Sequence, residues 1–105
     1  MIHIQTVTSE ITKRLKPLHV KKIILFGSYA NGVPTSDSDI DIYVVTDDAY
    51  VPASYKEKRE IVRKVSKPIE DLRMKYCIDL VVHTQKMSEM FFQMKSSFAN
   101  EIATK

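Results

Sequence analysis

The apolar residues of this chain come in short runs whose spacing alternates between two periods, and the alternation predicts helices and strands in turn. Ile11, Leu15 and Leu18 recur at intervals of three and four residues, the spacing of one helix face. Thr8 or Ser9 offers a capping oxygen at the start of that helix, and Pro17 marks its end. Lys22 to Phe26 (KIILF) is a β-branched apolar run that stops at Gly27 and reads as a buried strand. The segment from Gly27 to Ser38 is rich in glycine, serine, asparagine and proline and reads as a loop. Asp39 to Thr46 alternates as a second strand, and Asp47 to Pro52 is a turn region. Ala53 to Val65 has helical character with Ile61, Val62 and Val65 facing inward. Pro68 breaks it, and Ile69 to Lys75 can add a further turn or two. Cys77 to His83 (CIDLVVH) is a third strand. Thr84 caps a last helix whose stripe is Met87, Met90, Phe91, Met94, Phe98 and Ile102.

That order, αβ-βα-βα, predicts a small mixed sheet of the α/β (α+β) class with helices packed on one face. It supplies too few crossovers for a doubly wound parallel fold. The 105 residues make one domain spanning 1–105. With 44% hydrophobic and 28% charged residues, a folded core is expected rather than disorder. Two glycines and four prolines exclude collagen-like and low-complexity classes. The single cysteine, Cys77, permits no internal disulfide and reads as a small buried apolar residue. His3, His19 and His83 are too scattered for a zinc site, and His83, at its strand end, is expected to be solvated. No apolar run reaches the ~20 residues of a membrane span. Nor does a secretory signal open the chain, so a reducing cytoplasm is the expected compartment.

The net charge of +3 changes the picture less than its distribution does. Lys13, Arg14, Lys16, Lys21 and Lys22 form one basic patch; Lys56, Lys58, Arg59, Arg63, Lys64 and Lys67 form another. Between them lie Asp37, Asp39, Asp41, Asp47 and Asp48. Positive flanks around an acidic centre suit a polyanion and a cation held together. The second basic stretch reads first as a solvated helix face, and otherwise as a contact for nucleic acid or an acidic partner. The Met/Phe stripe of the last helix reads as core first; its softness also suits a partner groove, in a homo- or hetero-oligomer.

The chemistry concentrates in Gly27 to Tyr43, GSYANGVPTSDSDIDIY. Asp39 and Asp41 share one face of a strand, with Cα atoms roughly 7 Å apart, while Ile40 and Ile42 point the other way. Such like charges raise a carboxylate pKa unless a cation intervenes, and oxygen-only ligands suit Mg²⁺. A third carboxylate, Asp79, interrupts an apolar strand, which is costly unless it is exposed, hydrogen-bonded or bound to metal. If the third strand neighbours the second, the acids make a triad able to hold two Mg²⁺ for phosphoryl or nucleotidyl transfer. Gly27 and Ser28 offer backbone N–H groups and a hydroxyl to phosphate oxygens, and Gly32 lets the chain turn back. No lysine follows, so this is not a Walker loop. Tyr43, on the face of the acids, can stack on a base or pack.

Gly27-Ser28, followed by Asp39-x-Asp41 and later Asp79, resembles the polymerase-β-type nucleotidyltransferase superfamily, most of all its minimal nucleotidyltransferases. The resemblance covers nearly the whole chain. It implies that Asp39 and Asp41 bind both metal ions, and that Asp79 binds the catalytic ion and helps activate the acceptor hydroxyl. Gly27 and Ser28 would hold the β- and γ-phosphates of a nucleoside triphosphate, ATP in the AMP-transferring members. It further implies an antitoxin role beside a HEPN-domain partner, by modification or, alternatively, by contact alone as a scaffold. Asn31 stands where many relatives have arginine. Many relatives also continue past the last helix into a glycine and a short terminal strand, whereas this chain stops at Lys105; truncation or a sheet completed by another chain would account for that.

Overall fold

The computed structural model describes residues 3–32, 34 and 38–94. Its first helix, α1 (Ile4–Leu15), begins earlier than Thr8 and Ser9 suggest. The His3 carbonyl accepts the Thr6 and Val7 amides and starts the helix. Thr8, a full turn inside, returns its hydroxyl to the Ile4 carbonyl at 3.0 Å. The apolar row therefore gains Val7 beside Ile11 and Leu15, all buried. Pro17 ends α1 in a tight 3-10 turn over Lys16–Leu18, because its ring cannot donate to the preceding turn.

Strand β1 (Lys22–Phe26) lies where expected. A single helical turn, α2 (Ser28–Asn31), follows at once. Strand β2 (Ile40–Val45) leads through a turn to α3 (Tyr55–Ser66). There the Ser54 hydroxyl accepts the Glu57 amide at 3.2 Å, while the Glu57 carboxylate accepts the Ala53 amide at 2.7 Å. This reciprocal cap starts the helix two residues later than Ala53. Pro68 sits in the turn Lys67–Ile69, α4 (Glu70–Lys75) follows, then β3 (Ile78–His83) and α5 (Gln85–Gln93). As expected, Thr84 caps α5, accepting the Met87 amide at 3.2 Å. No helix among the described residues is long and apolar enough to cross a membrane.

The strands form a mixed sheet in the order β1-β2-β3. β1 runs antiparallel to β2, with Phe26 opposite Asp41, and β3 runs parallel to β2, with Asp41 opposite Asp79. The parallel pair is bridged by α3 and α4, the crossover that parallel strands require. On one face, Ile40, Ile42, Val44, Ile78 and Val82 join the buried residues of α1, α3 and α4 in the main core. These helices cover the face on which the sequence places them.

The last helix departs from that arrangement. α5 folds over the opposite face, where Phe91 and Phe92 pack on Phe26, Tyr43 and Val45. Phe91 and Phe92, neighbours in sequence, share the contact, so Met90 (50% exposed) and Met94 (75%) turn outward instead of joining the core. Phe98, Ile102 and part of the Gly27 to Ser38 loop lie outside the described residues.

Other expectations shift with α5. Its Phe91 ring meets His83 edge-on at 5.1 Å, so this histidine is half-buried rather than solvated. Cys77 is exposed, not buried. It directly precedes β3.

Candidate active site

Period two decides which side chains meet on the face opposite the main core. In the parallel register Ile40 pairs with Ile78 and Ile42 with Leu80, and these enter the helix-covered core. Asp41 and Asp79 fall between them and emerge side by side on the other face. A slip of one residue would drive both carboxylates into the core, so the isoleucines enforce the pairing. Adjacent strands lie roughly 4.8 Å apart, so the two carboxylates are close neighbours. Asp41 is half-buried and Asp79 exposed. Asp39 is exposed just before β2, with the parity of Asp41.

Gly27 closes the site from the β1 side. Phe26 pairs with Asp41, so the chain leaving β1 passes directly over that carboxylate. Gly27 adopts φ 76° and ψ −155°, a region essentially restricted to glycine. A Cβ there would lie 3.0 Å from Asp41 Cγ and nearer still to Oδ2. The glycine is therefore required twice, by its backbone and by the carboxylate beneath it. The chain then turns into α2, whose Asn31 amide donates to the Gly27 carbonyl at 3.0 Å. First-turn amides of a helix lack intrahelical acceptors, so Ser28 and the next residues present donors beside Asp41. One turn carries little macrodipole; the donors themselves are the attraction for an anion.

The structure thus brings together Asp41, Asp79, Gly27 and Ser28. It does not draw Asp39 into a closed cluster: among the described residues, no three His, Cys, Asp or Glu side chains converge to hold a metal ion. The donor set nonetheless fits a hard divalent cation. It contains only oxygen ligands, and two like charges in register are relieved by Mg²⁺ rather than by a soft metal.

Behind the carboxylates lies a buried polar strut that the sequence pattern does not reveal. Tyr43 is fully buried, so it packs rather than offering a face for base stacking. Its hydroxyl donates to Ser88 Oγ at 3.1 Å and lies 2.9 Å from His83 Nδ1. With the imidazole proton on Nδ1, the three groups form one chain of hydrogen bonds from β3 through β2 to α5. Burial raises the Tyr43 phenol above its ordinary value against the opposing Ser88 bond. Burial, and then the charge of Lys58, lowers the His83 imidazole. The signal for Ser88 was available only as a polar residue on the inner side of α5, visible once that helix is placed.

Comparisons with known proteins agree with this geometry. Two proteins of Methanocaldococcus jannaschii, each named "Putative protein adenylyltransferase", are similar to the chain. One is 48% identical over 48 residues, covering 46% of this chain and 47% of the relative. The other is 68% identical over 28 residues, covering 27% of this chain and 28% of the relative. The chain thus spans less than half the length of either relative in the matched regions. No solved structure matches it. A family model described as the nucleotidyltransferase domain matches residues 7–101, nearly the full length, and the chain belongs to that family.

Proposed function

We propose that the chain transfers AMP from ATP to a hydroxyl group of a protein, in the cytoplasm, as the antitoxin-like partner of a HEPN-domain protein. The observation that carries this reading is the pairing of Asp41 with Asp79 beneath a glycine whose Cβ would displace the Asp41 carboxylate. The names of the relatives support a protein acceptor, and the likeness to minimal nucleotidyltransferases supports the partner.

Asp39, Asp41 and Asp79 would hold two Mg²⁺ ions. When bound, such ions neutralise triphosphate charge and ease loss of the acceptor's proton. The amides of Gly27 and Ser28, with the Ser28 hydroxyl, hold the β- and γ-phosphates. Asp79, the exposed member of the pair, takes the acceptor's proton. The acceptor oxygen bonds to the α-phosphorus, the bond to the bridging oxygen breaks, and pyrophosphate leaves. Asp41, held against Gly27, fixes the orientation of the triphosphate.

A second reading rests on two observations: among the described residues the carboxylates do not close into a three-member cluster, and Met90 in α5 and Met94 just after its end are exposed. In it the chain is a catalytically weak scaffold that neutralises a HEPN ribonuclease by contact. Labelling separates the readings. With α-³²P-ATP and Mg²⁺, the wild type should label a HEPN protein while Asp41→Asn should not. Equal neutralisation of the ribonuclease by wild type and Asp41→Asn, with no label in either, establishes the scaffold.

A further inference from the structure

A cleft of ≈ 590 Å³ lies away from the carboxylates, between the end of α3, α4 and the start of β3. Arg63, Lys67 and Arg73 line it, with one carboxylate, Glu70, and the apolar groups of Met74 and Ile78. The ion pairs among the described residues are Arg14 with Glu10 and Asp71, Lys64 with Asp48, and Lys86 with Glu89. None engages Arg63, Lys67 or Arg73, so three cations face one opening without neutralising partners. Like charges gathered in this way favour an anionic occupant.

The position of the cleft suggests which anion. It ends at Ile78, one residue before Asp79. Ile78 points to the helix-covered face and Asp79 to the opposite face, so cleft and carboxylate flank one strand end. β3 is an edge strand, with no further strand paired beyond it among the described residues, so an acceptor segment has a route along its outer side. We propose that this cleft docks an acidic segment of the protein acceptor and leads its hydroxyl around the β3 edge to Asp79. The proposal rests on the transfer reading above and adds what selects the acceptor. An extended chain advances about 3.3–3.6 Å per residue, so a few residues suffice to pass from one face of a single strand to the other. The acceptor therefore carries its acidic residues a few positions from the modified hydroxyl. A nucleic acid fits less well: the lining holds no aromatic ring to stack on bases.

The test uses a fluorescein-labelled oligoglutamate peptide with a short Gly-Ser spacer and one tyrosine, its glutamine counterpart, and a labelled single-stranded RNA. Anisotropy titrations should show the glutamate peptide binding the wild type and the glutamine peptide failing to bind. Arg63→Glu with Arg73→Glu, both exposed positions, should weaken binding about tenfold or more. Lys13→Glu with Lys16→Glu, the same charge change at the end of α1 and in the turn after it, should leave it nearly unaltered. Circular dichroism of each variant establishes that the fold is intact. Equal binding by wild type and the Arg63/Arg73 variant, no binding by the wild type, or tighter binding of the RNA would each overturn the docking assignment. Transfer is read separately: Asp41→Asn should bind the peptide as wild type does and label none of it. In the wild type, lengthening the spacer well beyond a few residues should reduce labelling without reducing affinity. Wild-type binding without labelling would reject delivery to Asp79 and the transfer reading, while the binding comparison alone decides docking.

Discussion

Replacing Gly27 with alanine tests the site where backbone and chemistry meet. At φ 76° and ψ −155°, a Cβ-bearing residue costs about 1–3 kcal/mol in backbone strain. The new Cβ also meets Asp41 Cγ at 3.0 Å and Cβ at 3.4 Å, with Oδ2 closer than either. Turning that short carboxylate aside costs a further ~0.5–1.5 kcal/mol in rotamer energy. A urea dependence of ~1–3 kcal/mol per molar converts the sum into a midpoint lowered by about 1–2 M. The two contributions separate in a double-mutant cycle with Asp41→Ala, measured by urea unfolding under far-UV circular dichroism. Removing the Asp41 carboxylate leaves the backbone strain and relieves the clash, so the cycle should return a coupling of about 0.5–1.5 kcal/mol. Under the proposed function, binding of MgATP should fall far more than stability, because the displaced carboxylate is one that would hold the magnesium of that complex. A Gly27→Ala protein as stable as wild type, or an equal cost in both backgrounds, would refute the argument that Gly27 makes room for Asp41.

Further outcomes follow from the face beneath α5. Tyr43→Phe leaves Ser88 Oγ and His83 Nδ1 without their shared partner and should cost about 1–3 kcal/mol in chemical denaturation. The folded His83 imidazole is held below its ordinary value of 6.5, by burial and then by Lys58. Between that lowered value and 6.5 the unfolded chain binds the extra proton, so stability should fall as pH drops through this window and level off below it. In urea titrations at stepped pH, His83→Asn should lose that part of the slope. Thr84→Ala removes the cap on the Met87 amide and should cost ~1 kcal/mol, with hydrogen exchange quickening in α5 and not in α1.

The strands were legible because their periods are unambiguous. KIILF ends at a glycine, and the alternation of Ile40 and Ile42 with Asp39 and Asp41 assigns opposite faces without any tertiary information. That alternation also made the carboxylate pair readable, since β2 and β3 pair in the one register that keeps Asp41 and Asp79 out of the core. The start of α1 was less legible. Threonine and serine are good caps, but Val7 extends the apolar row and the backbone amides find the His3 carbonyl instead. The last helix was misjudged for a different reason. A stripe of Met87, Met90, Phe91 and Met94 specifies a helix but not the sheet face it covers, and α5 turns to the face opposite α1. The states of His83 and Tyr43 both depend on that choice. Nor could the basic cleft be read locally, since Arg63 from α3 and Lys67 from the turn after it meet Arg73 from α4 only through the break at Pro68.

The central claim is that Asp41 and Asp79 form one magnesium-nucleotide site beneath Gly27. Calorimetric titration with the magnesium complex of α,β-methylene-ATP, which cannot be cleaved at the reacting bond, tests it without requiring an acceptor. The account expects one site in the wild type, strongly weakened in Asp41→Asn and in Asp79→Asn alike, and no comparable binding when magnesium is omitted. Wild-type affinity retained in both variants, or no binding by the wild type, would contradict it.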